Sequence, residues 1–135
     1  METGKSLRSP LGRARGLGSA KDGTHHWWAQ RVTAIALVPL TVWFVASVIG
    51  LAGAPLIELQ AWVASPVVAV LLLILVGATF QHARLGVQVV IEDYVHAEGA
   101  KVALLLLMKG ACWLLAAAAL LSVIRISVLV VLFKG

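Results

Sequence analysis

In a chain that is 61% hydrophobic with a mean hydropathy of +0.97, the few side chains able to do chemistry stand out. His82, Arg84, Gln88, Glu92, Asp93 and Tyr94 follow one another directly after a stretch, Pro66 to Gln81, that carries no charge. An ionisable group at the centre of a membrane helix costs about 2.5–3.5 kcal/mol on insertion scales, so its presence calls for a partner or a task. His82 is the leading case. A neutral imidazole nitrogen is an axial ligand for haem iron, and a position well inside an apolar run is shielded from water. The same ring is equally suited to hydrogen-bond across to a neighbouring helix.

At 100° per residue, His82, Gly86, Val89 and Asp93 fall on one face of a helix. Gly86, one turn from the histidine, has no side chain and admits the close approach of a flat macrocycle or of another helix. Tyr94 carries a phenol that donates a hydrogen bond at neutral pH, as quinone reduction requires when negative charge develops on the carbonyl oxygen. Tyrosine is also a common anchor at membrane interfaces, and the residue type alone does not choose between these uses. Arg31 has a guanidinium fork that suits a carboxylate, and its place ahead of an apolar run also makes it a positive-inside anchor. His25 and His26 precede it beside Trp27 and Trp28, two residues of the type that forms interfacial belts.

The elements that must position these groups are membrane spans. So apolar a chain of 135 residues has no water-soluble surface to offer, and long uninterrupted apolar runs indicate helices rather than the alternating strands of a barrel. The expected fold is an all-α membrane protein with spans at about 32–54, 66–91 and 102–124. Val32 to Ala54 has no charge and is long enough for a hydrocarbon core of about 30 Å; Pro39 within it is expected to kink the helix. The connection from Leu51 to Pro66 contains no Lys or Arg. The third apolar stretch is broken by Lys109 and expected to close near Arg125, leaving the apolar segment 126–133 either as an extension of the helix or as a contact for a partner.

Residues 1–24 form a polar basic tail, followed by one transmembrane domain over 25–135. The tail has five Gly, three Ser and one Pro without apolar periodicity. Of eleven Lys and Arg residues, six (Lys5, Arg8, Arg13, Arg15, Lys21 and Arg31) lie before or at the first apolar run. That asymmetry is an orientation signal rather than a nucleic-acid footprint, and it puts the tail and the Tyr94 to Lys101 turn on the cytoplasmic or matrix side. No cleaved signal peptide is expected. A bacterial inner membrane is the first choice, although a basic tail poor in acids also suits a mitochondrial inner membrane. Cys112, alone in an apolar run, reads as a small packed side chain.

The run HARLGVQVVIEDYV, from His82 to Val95, resembles the haem-and-quinone helix of the hydrophobic membrane anchor subunit of succinate dehydrogenase (succinate:quinone oxidoreductase, complex II). The N-terminal run THHWWAQRVTAI, from Thr24 to Ile35, is similar to that subunit's approach to its first helix. The resemblance implies that His82 is one axial ligand of a haem b whose second histidine comes from a partner anchor subunit. It implies that Tyr94 donates to a quinone carbonyl with Asp93 in support, and that Arg31 lies near a haem propionate or the quinone. His25 best matches the family's histidine in that region. Arg84 departs from the pattern, which has an aromatic residue there. The implied partners are the second membrane anchor, the iron–sulfur subunit and the flavoprotein subunit, with quinone as substrate. The chain has no Cys cluster, dinucleotide fingerprint or nucleophile constellation, so succinate oxidation belongs to other subunits. From the residues alone, a rival reading is a small non-redox transporter subunit or assembly scaffold in which the polar groups line a helix interface.

Overall fold

The computed structural model describes residues 19–134, with side chains over 23–133. Four helices follow in order: α1 (Ser19–Gly50), α2 (Leu56–Ala64), α3 (Pro66–Tyr94) and α4 (Glu98–Lys134). There is no strand among the described residues. Three helical stretches, Gly23–Gly50, Pro66–Tyr94 and Glu98–Phe133, are long and apolar enough to cross a membrane. The all-helical, three-span architecture is therefore the one expected. Most of the basic tail, residues 1–18, lies outside the described residues, while 19–24 are already helical.

The helix ends follow local chemistry. α1 runs through Pro39, losing one backbone bond without ending. It stops at Gly50, short of the end of the charge-free run, because the chain reverses through Gly53 at φ +84° and then meets Pro55. A positive φ of this size strains any residue with a Cβ, and glycine is the residue that supplies it. The short helix α2 falls within what the sequence presents only as a connection. Ser65 closes it, donating its N–H to the Trp62 carbonyl, and takes the extended backbone (ψ 127°) that a residue before proline prefers. Pro66 then opens α3 at the position where a missing N–H costs nothing. α3 ends at Tyr94, and after three residues α4 begins at Glu98.

α4 continues through Arg125 to Lys134, so residues 126–133 extend the helix, the first of the two placements open to them. At 1.5 Å per residue α4 is about 55 Å long, more than one hydrocarbon thickness. Its far end is held by α2. The Ser127 hydroxyl lies 2.9 Å from the Val123 carbonyl of its own helix and 3.3 Å from the Val63 carbonyl of α2. A groove of about 370 Å³ between Ile57, Gln60 and Ala61 on α2 and Ile126, Leu129 and Phe133 on α4 marks the same junction.

α3 is the centre of the arrangement, with α1 on one flank and α4 on the other; α1 and α4 do not pack together. Among the described hydrophobic residues, Leu72, Leu85 and Ala116 alone are buried, while Ile35 is 72% and Leu114 74% exposed. Such faces belong against lipid or partner subunits, since helices in a bilayer are held by close packing and hydrogen bonds rather than by expulsion of water. α1 and α2 meet through one aromatic pair, Trp43 and Trp62, with ring centroids 5.9 Å apart and planes 25° from parallel. We expect Trp43→Ala and Trp62→Ala to lower the melting temperature non-additively, with a coupling of about 0.5–1.5 kcal/mol in a double-mutant cycle. Additive losses would show that the stacking contributes nothing of its own.

Candidate functional site

His82 faces α1 from the middle helix. Its Nδ1 lies 3.0 Å from the Oγ1 of Thr33, a residue 49 positions earlier in the chain. Thr33 in turn sits 2.8 Å from the Ala29 carbonyl and 3.0 Å from the Gln30 carbonyl, the contacts of a helical threonine bonding back along its own helix. No other hydrogen bond to the His82 ring is present among the described residues, so Nε2 is the free nitrogen.

The stripe read from the sequence turns toward α1. A Cβ added at Gly86 would lie 3.6 Å from Gln30 Nε2, so of its two possible uses the glycine serves the close approach of a neighbouring helix. At 3.6 Å the contact is ordinary, and Gly86→Ala should be tolerated with a small gain in helix propensity, of up to about 1 kcal/mol. Gly86→Leu should displace Gln30 and part the helices, at about 1–3 kcal/mol. Thermal unfolding of the two variants in detergent checks this order, and equal melting temperatures would contradict it.

Toward the 95–97 turn, α1 and α3 border a groove of about 610 Å³ lined by His26, Trp27, Gln30 and Arg31 on one side and Gln88 and Glu92 on the other. Arg31 lies over the Trp27 ring, its Cζ 4.3 Å from the centroid, an arrangement that holds the guanidinium without neutralising it. Gln88 Nε2 donates to Glu92 Oε1 at 2.8 Å. His26 Nε2 is buried without a hydrogen-bond partner. A basic fork, an imidazole and a carboxylate thus converge at one end of the bundle, in reach of a polar or anionic group entering between the helices.

The other expected residues are placed differently. His25 is exposed and does not line the groove, whereas its neighbour His26 does. Asp93 and Tyr94 end α3 and are exposed, Tyr94 to 78%. Tyr94 lies about 200° around the helix from Glu92, which turns it away from the groove. Arg84 points toward α4, beside a cavity of about 240 Å³ lined by Gln81, Cys112, Trp113 and Ala116, and its Nε is buried without a partner. It is therefore separate from His82 despite standing two residues away. Sequence reasoning gave no role to Thr33, Gln30 or Glu92. The first two lie in the THHWWAQRVTAI run already singled out, but nothing in their spacing pointed across to α3.

Three apolar helices with polar side chains gathered at one end define a multi-pass membrane protein whose exposed faces are made for lipid and for partners. The family model described as "Succinate dehydrogenase/Fumarate reductase transmembrane subunit" matches residues 5–124. A succinate dehydrogenase hydrophobic membrane anchor subunit of Rickettsia bellii is 36% identical over 104 residues, covering 76% of this chain and 82% of the relative. The corresponding subunit of Rickettsia conorii is 34% identical, covering 78% and 85%, and that of Paracoccus denitrificans 34% identical, covering 72% and 75%. No solved structure gives a significant match. The chain belongs to the succinate dehydrogenase/fumarate reductase transmembrane subunit family, and within it to the membrane anchor subunits of succinate dehydrogenase. It associates with the other subunits of that complex, as the resemblance in its sequence implied, and the transporter or scaffold reading falls away.

Proposed function

We propose that this anchor subunit supplies, through His82 Nε2, one axial ligand of a haem b shared with a partner anchor subunit, and that its Tyr94 helps form the site where quinone accepts electrons originating in succinate. The observation that carries the reading is the state of His82: a ring inside a membrane span, tethered at Nδ1 and free at Nε2. A histidine kept only to join two helices would be satisfied by the first contact alone. A ligand needs the second nitrogen unengaged, and metal-bound histidines habitually have their other nitrogen hydrogen-bonded.

Arg31 and His26 in the groove fit a carboxylate side group of the macrocycle. When bound, haem supplies a one-electron carrier within the membrane. The work of this chain's own residues is to bind, orient and deliver protons. Tyr94 donates its phenol proton in a hydrogen bond to a quinone carbonyl oxygen, and Asp93, at the same helix end, passes protons in from the aqueous edge. Two electrons from the iron–sulfur subunit and two protons convert quinone to quinol. Because Tyr94 turns away from the rest of the chain, a partner subunit must complete its pocket.

The test is the complex purified through a tag on this chain. A reduced-minus-oxidised b-type absorption spectrum, with flavoprotein and iron–sulfur subunits copurifying, is the expected result. Copurification of those subunits without a haem spectrum would retain the anchor and overturn the ligand role of His82.

A further inference from the structure

Thr33 makes the one hydrogen bond to the His82 ring among the described residues, and the proton count in that contact has a direction. A hydroxyl has one proton to give and two lone pairs with which to accept. Carbonyl oxygens accept only, and the Thr33 hydroxyl is placed to give its proton to the Ala29 carbonyl at 2.8 Å or the Gln30 carbonyl at 3.0 Å. The 3.0 Å contact with His82 then runs the other way, with Nδ1–H donating to Oγ1; the opposite tautomer would leave an Nε2–H inside the span without an acceptor among the described residues. From this we infer that Thr33 is a positioning residue, which fixes His82 as the Nδ1–H tautomer and leaves the lone pair on Nε2; the inference rests on the haem reading above.

Two consequences follow from that arrangement. The ring is locked in rotation and tautomer before any ligand arrives, so binding costs less ordering. A hydroxyl that donates to a carbonyl is also a better acceptor, and drawing on Nδ1–H makes Nε2 a stronger donor, which favours ferric over ferrous iron and holds the potential down. Thr33→Val keeps the shape and removes the acceptor, whereas Thr33→Ser keeps the hydroxyl.

The experiment compares the tagged complex of wild type, Thr33→Val, Thr33→Ser and His82→Ala by haem content and by potentiometric titration of the b-type absorption. Thr33→Val should lower haem affinity about tenfold. It should also raise the midpoint potential by up to about 59 mV, the shift for a tenfold loss of ferric preference in a one-electron couple. Thr33→Ser should restore both values. A wild-type potential in Thr33→Val, or a failure of Thr33→Ser to restore it, would overturn the inference while His82→Ala still loses the haem. If Thr33→Val does not assemble, a wild-type potential in Thr33→Ser supports the hydroxyl's role and a shifted one refutes it. Retention of the wild-type spectrum in His82→Ala would instead remove the haem reading on which the inference stands.

Discussion

His82→Ala is expected to abolish the b-type absorption spectrum of the purified complex while flavin and iron–sulfur subunits still copurify. The two halves of this expectation have different physical origins. Haem binding depends on the Nε2 lone pair, and alanine offers iron no donor at all. Assembly depends on the anchor's helices, to which His82 contributes the hydrogen bond with Thr33. Such bonds between membrane helices average about 0.6 kcal/mol, too little to unfold a bundle that is also joined by α3–α4 packing and through the Trp43–Trp62 stack. After the substitution the Thr33 hydroxyl still donates to a carbonyl of its own helix, so no polar group is left stranded in the membrane. Loss of the spectrum with the complex intact is thus a ligand effect. A spectrum unchanged in position and intensity would place the iron on other residues.

Charge is the most readable signal in such a sequence, and the parts of the structure that charge defines were legible. Stretches with few or no charges reappear within α1, α3 and α4, because an uncompensated charge in lipid is costly enough to leave its mark on composition. Helix ends were less readable because the end of a span is not the end of a helix. Arg125 marked a membrane boundary, yet α4 passes through it, since an exposed arginine is a good helix former and the segment beyond packs on α2. α2 itself lies between Pro55 and Pro66, in a stretch that the sequence marked only as a connection between spans.

Within the site, individual residues were visible and their pairing was not. His82 declares itself by the cost of placing it in the span, but the identity of its partner depends on how two helices 49 residues apart are rotated and offset. Spacing rules act within one helix. The same limit decides between His25 and His26, adjacent residues that differ by about 100° around α1, of which one lines the groove and the other faces outward. Gly86 was legible as a place of close approach, and it took the structure to show that Gln30 fills the space.

Tyr94→Phe is expected to lower quinone reduction by about 100-fold relative to reduction of an artificial water-soluble acceptor that draws its electrons upstream of the membrane. The substitution removes one oxygen and leaves the ring, so any contribution of Tyr94 as an interfacial anchor is largely preserved. At 78% exposure, with no hydrogen bond from its hydroxyl among the described residues, that oxygen does nothing for the stability of the isolated chain. Its effect must therefore come from a group outside the chain. A donor aimed at an oxygen that gains negative charge typically contributes a factor of about 10²–10³ in rate, because it acts on the charged state more than on the ground state. Interfacial anchoring predicts the opposite pattern: both reductions fall together as the complex loosens, or neither changes. Asp93→Asn separates the proton route from the donor. If Asp93 carries protons to the Tyr94 end of α3, the variant should slow quinone reduction most at high pH, where protons are scarce, and leave the apparent affinity for quinone close to that of the wild type. A uniform loss at every pH, with weakened quinone binding, would instead make Asp93 part of the pocket wall.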